Sequence, residues 1–206
     1  MPDMPQQPAS RTSRPRPGTA RRARAAAARA LGALAERAGR GDQVLFVEPS
    51  CLSMVLDDWW RLLPGDPRLA PVAAASRPAL ALIGDLAEQG RLRFRAGGPA
   101  LLHAHCHEKA LGLQGETERA LHAVPGLQLE ALDAGCCGMS GVFGYEAGHY
   151  ELSAAMGERV LLPAVRNAPS GAAVLATGTS CRAQVADLSG RRALHPLVYL
   201  AQHLLR

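Results

Sequence analysis

The stretch Leu127-Gln-Leu-Glu-Ala-Leu-Asp133-Ala-Gly-Cys136-Cys137-Gly138-Met139-Ser140-Gly141 decides how the rest of the chain reads. Leu127 to Leu132 reads as a strand, and it delivers two adjacent cysteines to a glycine-rich turn. Neighbouring residues on a strand point to opposite faces. Both thiols reach one site only if the backbone turns sharply at or just after them. Gly135, Gly138 and Gly141 supply that freedom and leave space beside the main chain. Thiolates are soft ligands for iron–sulfur clusters, zinc or Cu(I). The structural alternative is a pair of small buried apolar residues in a tight turn.

Working outward, strands alternate with helices. Val44 to Val47 reads as a short buried strand that ends in Glu48-Pro-Ser-Cys51, and Ala100 to His105 as a strand that runs into Cys106. Ala172 to Thr177 is a third, leading to Gly178-Thr-Ser-Cys181. Leu92 to Phe94 reads as a short edge strand. Helices are expected over Thr19–Arg37, Leu52–Leu63, Leu80–Gln89, Glu116–Val124, Gly144–Val165 and Ala193–Leu205, and residues 66–79 as mostly connecting chain. The pattern predicts an α/β protein with Rossmann-like, largely parallel sheets. The cysteines fall just after strands, where open α/β sheets bind ligands.

Aligning Cys51 with Cys181 also sets Val44-Leu45 against Val174-Leu175 and Ser50 against Ser180. The chain reads as a pseudo-duplicated fold whose first repeat is incomplete. Residues 1–18 form a disordered Arg/Pro-rich tail, residues 19–95 a helix plus a partial repeat, and residues 96–206 a complete repeat. The tail's composition also fits an organellar transit peptide or a basic nucleic-acid arm, and an unstructured tail is the preferred reading.

A chain of 206 residues suffices for one domain or two small ones. The net charge of +5 comes largely from the Arg-rich N-terminal stretch, so no nucleic-acid partner is expected for the folded part. No run of about 18 apolar residues exists, and no transmembrane segment is expected. Five cysteines, clustered with histidines and without disulfide-framework spacing, point to a reducing compartment and to ligand or redox use.

His103-Ala-His105-Cys106-His107 packs three imidazoles and a thiol into five positions. Strand alternation predicts that His103 and His105 share a face. Zinc could be held by Cys106, Cys136, Cys137 and a histidine, although the CxxC…CxxC spacing of common zinc modules is absent. A Cys–His hydrolase leaves the other cysteines unexplained. A ferredoxin-type cluster lacks its closely spaced cysteine run. What remains is a cluster held by thiols from separate loops, with Cys106, Cys136, Cys137 and Cys181 as candidates.

Three segments carry a family resemblance: His103-x-x-Cys106-His107-x-Lys109-Ala-Leu111, then Cys136-Cys137-Gly138-Met139-x-Gly141-x-x-Gly144-Tyr145-Glu146, then Gly178-Thr-Ser-Cys181-Arg182. Over about residues 40 to 205 the chain resembles the CCG (cysteine-rich) domain. The variant is similar to the C-terminal (Fe–S)-binding part of FAD-linked oxidases of the glycolate oxidase and D-lactate dehydrogenase type. The cysteine-rich subunit of heterodisulfide reductase is a more distant likeness. The resemblance implies an iron–sulfur cluster, 4Fe–4S in type, with FAD only on a partner chain that oxidises a 2-hydroxy acid. It implies as partners an FAD-binding dehydrogenase chain and a downstream electron acceptor, and a cytoplasmic place, at the inner membrane only through a partner. Cys106, Cys136, Cys137 and Cys181 fall on the pattern's cysteines, and Cys51 on the equivalent of Cys181 in the first repeat. His103, His107, Lys109, Tyr145, His149 and Arg182 are accessory candidates. Lys109 and Arg182, next to the ligand cysteines, would lower thiolate pKa or offset cluster charge, with a solvated surface position as the alternative for each. Two departures stand out: Gly178 replaces the first cysteine of a common CxxC, and the first repeat lacks its own CCG. The alternative is a zinc- or thiol-binding interaction module without redox turnover.

Overall fold

The structure, a computed structural model, describes residues 18–205. Apart from Gly18, the N-terminal tail lies outside the described residues. Helix α1 (Thr19–Gly39) forms because Ala and Arg are strong helix formers, and it buries a narrow stripe of Ala27 and Leu31. Strand β1 (Val44–Phe46) follows. The chain then turns helical through α2 (Pro49–Ser53), a π-helical turn (Met54–Asp58) and α3 (Trp59–Leu62). Helix α4 (Leu69–Ala75) leads to β2 (Ser76–Pro78), which pairs in parallel with β1, and α5 (Ala79–Glu88) comes next. Ala27, Leu31, Val55, Trp59, Leu69 and Val72 form the core of this part, which places Trp59 in packing and leaves Trp60 exposed.

The second sheet has β3 (Pro99–His103) at its centre, with β4 (Gln128–Ala131) on one side and β5 (Ala173–Ala176) on the other, all parallel. Between β3 and β4 lie α6 (Cys106–Ala110) and α7 (Gln114–His122). Between β4 and β5 lie a 3₁₀ turn (Phe143–Tyr145), α8 (Tyr150–Glu158) and α9 (Leu161–Asn167). Helices α10 (Thr179–Ser189) and α11 (Pro196–His203) follow β5. The chain leaves β3 to one side for β4 and returns to the other side for β5. The C-terminal ends of the three strands therefore frame the crevice where such sheets bind ligands. Strand alternation sorts the two faces. Ala100, Leu102 and Leu175 pack with Leu80, Leu121 and Leu200, whereas Leu101, Val174 and Ala176 pack with Leu161, Val165, Val185, Cys137 and Cys181.

The α/β architecture expected from the alternation is present. So is the correspondence between the two halves: Cys51 is the third residue of α2 and Cys181 the third of α10. Leu45 pairs in parallel with Arg77, as Leu175 does with Leu194. Leu45 is 40 % exposed, whereas its counterpart Leu175 is fully buried, because among the described residues no equivalent of β3 and α7 covers the first half.

Four local expectations are corrected. Residues 66–79 contain α4 and β2; this short helix, with Pro71 in its first turn, is held by the packing of Leu69 and Val72, and a three-residue strand ending in Pro78 carries no alternation to read. Gly144–Val165 is not one helix. Gly144 is held so close to Ser153 and Met139 that an added Cβ would lie 2.3 Å from Ser153 Oγ, and Pro163 in the first turn of α9 cannot continue a helix from α8. Phe94 makes only an isolated antiparallel bridge with Leu204. Helix α6 begins at Cys106, where no helix is expected, and β3 ends at His103, two residues short of the expected strand.

The ends of β3 and β5 are tied by one buried side chain. Glu108, 4 % exposed on α6, accepts hydrogen bonds from the Thr177 hydroxyl (2.5 Å), the Thr117 hydroxyl and the His105 amide (3.3 Å). Glu108→Ala takes the acceptor from the Thr117 and Thr177 hydroxyls, while the His105 amide keeps Thr177 Oγ1 at 3.0 Å. The change should destabilise the fold by about 3 kcal/mol, lowering the thermal midpoint by roughly 10 °C. Urea unfolding checks this, and an unchanged midpoint would contradict it.

Candidate metal centre

Each strand of the larger sheet delivers its cysteine at its C-terminal end. Cys106 opens α6 just past β3, Cys136 and Cys137 follow β4, and Cys181 lies in the first turn of α10 past β5. Cys106 and Cys136 are half-buried, while Cys137 and Cys181 are buried. The Cys181 thiol donates to Cys137 Sγ at 3.4 Å, and Cys136 Sγ accepts from the Gly138 amide at 3.3 Å. Sγ of Cys137, Sγ of Cys181 and a ring nitrogen of His103 all lie within 4.8 Å of one another. Above them a cleft of about 350 Å³ is lined by Cys106, Cys136 and Cys137, with Glu48, His105 and His107 among its walls. Cys51 is exposed and does not line this cleft.

The CCG turn depends on two constraints. Gly138 has φ +95°, and a Cβ there would stand 2.7 Å from Ser153 O, so only glycine fits. Gln184, buried on α10, donates to the carbonyls of Cys137 (2.6 Å) and Ser153 (3.1 Å) and pins the turn to α8. Lys109, expected to act on the thiols, instead reaches the carbonyls of Leu132 (3.3 Å) and Ala134 (2.5 Å) and anchors the segment leading to Cys136. Arg182 likewise donates to the carbonyls of Ala176 (3.0 Å) and Thr177 (2.9 Å) and braces the turn before Cys181. Both hold the loops that present thiols.

The histidines separate into three roles. His105 caps α6, its Nδ1 accepting from the His107 amide at 3.1 Å. Its ring therefore leaves the strand face expected for it. His107 is exposed, with Nδ1 2.5 Å from Ser53 Oγ. His103 is 1 % exposed, and neither ring nitrogen makes a hydrogen bond. A buried polar group left unpaired costs about 1–3 kcal/mol. Tyr145 donates to Asp187 at 2.8 Å on the surface, and His149 stacks on Phe143 with ring centroids 3.9 Å apart. Neither lines the cleft.

The thiols share their charge unevenly. The hydrogen bond from Cys181 pulls Cys137 down to about 4 against its burial, with His103 alongside adding to the effect. That same bond, and then burial, push Cys181 far up. Burial and the neighbouring Cys136 push Cys106 up to about 11. Glu48 lies below the usual carboxylate range: burial raises it, but hydrogen bonds from Thr179 and Ser50, together with the nearby His105 ring, outweigh that. Burial lowers His105, and Glu48 only partly offsets it. Four crowded thiols around an unpaired imidazole are a donor set that a soft cation would satisfy, displacing the thiol protons.

Sequence reasoning did not single out Glu108, Gln184, Thr177 or the Glu48–His105 contact. Gln184 was within reach, since it lies three residues after Cys181 and so on the same face of α10. Glu108 three residues after the His105 cap has the spacing of a capping box, with an uncommon cap residue.

No family model matches the chain, so the CCG resemblance rests on its motifs, and no solved structure matches it. Among curated proteins, it is 35 % identical over 104 residues to a subunit, designated C, of the anaerobic glycerol-3-phosphate dehydrogenase of Escherichia coli (strain K12), covering 50 % of this chain and 25 % of that one. It is 36 % identical over 113 residues to the D-2-hydroxyglutarate dehydrogenase of Pseudomonas putida, covering 54 % of this chain and 11 % of that protein. Against the Escherichia coli D-2-hydroxyglutarate dehydrogenase the identity is 39 % over 83 residues, covering 40 % and 8 %. The matched region is thus a small part of each relative, and all are dehydrogenase subunits or dehydrogenases. No helix among the described residues is long and apolar enough to cross a membrane.

Gly178 is filled space. A Cβ there would stand 2.2 Å from His105 Cδ2 and 3.0 Å from Cys181 Sγ. Gly178→Cys should therefore add no useful thiol and should destabilise the chain by roughly 1–3 kcal/mol through displacement of the His105 cap. The same change in a His105→Ala background should cost less. Chemical unfolding of the three variants checks this, and equal costs in both backgrounds would contradict it.

Proposed function

We propose that the chain is an iron–sulfur-binding electron-transfer module of a flavin-linked 2-hydroxy-acid dehydrogenase. The observation that carries this reading is the convergence of four thiols from three separate loops around a buried, unpaired imidazole. Cys106, Cys136, Cys137 and Cys181 would hold the cluster, with Lys109 and Arg182 fixing the loops that present them. A bound cluster, 4Fe–4S in type, would supply one-electron redox chemistry. The relatives' names support the wider setting, since glycerol-3-phosphate and D-2-hydroxyglutarate are both alcohols and both proteins are dehydrogenases.

In this reading FAD belongs to a partner dehydrogenase chain, and the electrons pass on to a downstream acceptor in a reducing compartment. Cys51 would lie outside the cluster's ligand set, because it is exposed and away from the cleft. Zinc is the rival occupant, since two thiols and an imidazole suit it equally.

A reductive titration tests the relay. Protein isolated without oxygen is mixed with photoreduced flavin while the visible spectrum is followed. The proposal expects reversible bleaching of a broad thiolate-to-iron band, abolished by Cys136→Ser or Cys137→Ser. A spectrum that never changes, on protein that has retained iron, would overturn the electron-transfer role.

A further inference from the structure

The pleat of β3 fixes where His103 points. Ala100 and Leu102 pack into the core beneath α5 and α7, so Leu101 and His103 face the opposite side, where Cys137 and Cys181 lie. His103 is a strand residue in the centre of the sheet, and its position owes nothing to a loop. Its two ring nitrogens require one donor and one acceptor in the neutral imidazole, yet neither makes a well-formed hydrogen bond, and the polar group that acts on the ring is the Cys137 thiol beside it.

The other nearby histidines are already engaged. His105 Nδ1 accepts from the His107 amide, and its Nε2 faces Glu48 at 4.0 Å. His107 Nδ1 is spent on Ser53. Gly178 brings no side chain, and the space one would take is filled by the His105 ring. His103 alone is buried, unpaired and within 4.8 Å of both inner sulfurs. Donor atoms bound to one tetrahedral metal, with metal–sulfur bonds of about 2.3 Å and metal–nitrogen bonds of about 2.0–2.1 Å, stand roughly 3.5–4 Å apart. The trio needs little movement to meet that spacing on a single metal ion. In a four-iron centre, where each iron takes one protein donor, His103 would stand in for one of the four cysteines and the donors would have to spread apart.

We propose that His103 is a direct ligand of the bound metal or cluster, giving a ring nitrogen beside the sulfurs of Cys137 and Cys181. The inference rests on the metal-binding part of the preceding reading and is independent of electron relay. An imidazole in place of a thiolate leaves the centre less negative, and so raises its reduction potential, as in clusters where histidine replaces cysteine. The inner end of the site is buried, so this ligand would also shield the metal from exchange with solvent.

Pulsed electron paramagnetic resonance on the reduced, anaerobically isolated chain, with and without ¹⁵N-histidine labelling, reads the ligand directly. A strongly coupled nitrogen is expected in the wild type. It should vanish in His103→Cys, which keeps its iron and shifts to a lower midpoint potential. A bound iron centre with no histidine coupling, or with the same coupling in His103→Cys, overturns the proposal. If the chain holds no iron, the metal-free protein is titrated with cobalt(II). A thiolate-to-cobalt band that changes between wild type and His103→Leu, with circular dichroism showing both folded, supports the ligand while ending the relay reading. Cobalt that fails to bind, or that binds with identical spectra in both, overturns the ligand itself.

Discussion

The Glu108 side chain is the constraint on which the site depends. It draws together the His105 amide after β3, the Thr177 hydroxyl after β5 and the Thr117 hydroxyl on α7. These groups belong to segments far apart in sequence, and the common acceptor reinforces the direct bond from the His105 amide to Thr177 Oγ1 that joins the loops bearing Cys106 and Cys181. A buried acceptor of this kind is costly to leave unfilled and just as costly to remove, which makes the arrangement rigid. Gln184 does the same for the CCG turn, and Lys109 and Arg182 for the segments leading to the thiols. The scaffold is polar where it shapes the site and apolar elsewhere on the sheet.

That rigidity has an electrostatic consequence. Four thiols are held close together in a partly buried crevice, and the hydrogen bond between Cys181 and Cys137 pulls Cys137 down while it and burial push Cys181 up. The arrangement is frustrated as it stands, with thiols that resist deprotonation and an imidazole that bonds to nothing. A soft cation resolves both features at once by accepting the sulfurs and the nitrogen. Local instability concentrated at one place in an otherwise well-packed fold is a common mark of a functional site.

Much of this was legible in the sequence because the signals were local. Leu127–Leu132 and Ala172–Thr177 announced strands by their apolar content, although only the second is buried, and the glycines around Cys136-Cys137 announced a sharp turn. The 130-residue step between Cys51 and Cys181 disclosed matching strand–helix units, which the pairing of Leu45 and Leu175 repeats in space. Other features were hidden because their causes are tertiary. Whether Glu108 is buried depends on Thr117 and Thr177, neither of which marks itself. Lys109 and Arg182 look in sequence like charges for the thiols, yet carbonyls of neighbouring loops claim them. The helix read across Gly144–Val165 failed because the close approach of Gly144 to Ser153 leaves no periodic trace. Cys51, equivalent to Cys181 by spacing, stays apart because its half of the fold lacks the strands that would enclose it.

The central claim is that these strand ends hold a cluster of iron and sulfide. Iron, zinc and acid-labile sulfide per chain, counted on protein purified without oxygen, test it most directly. The account predicts iron and sulfide in equal amounts, near about four of each per chain for a 4Fe–4S centre. Zinc alone, or no metal after anaerobic reconstitution with iron and sulfide, would contradict it.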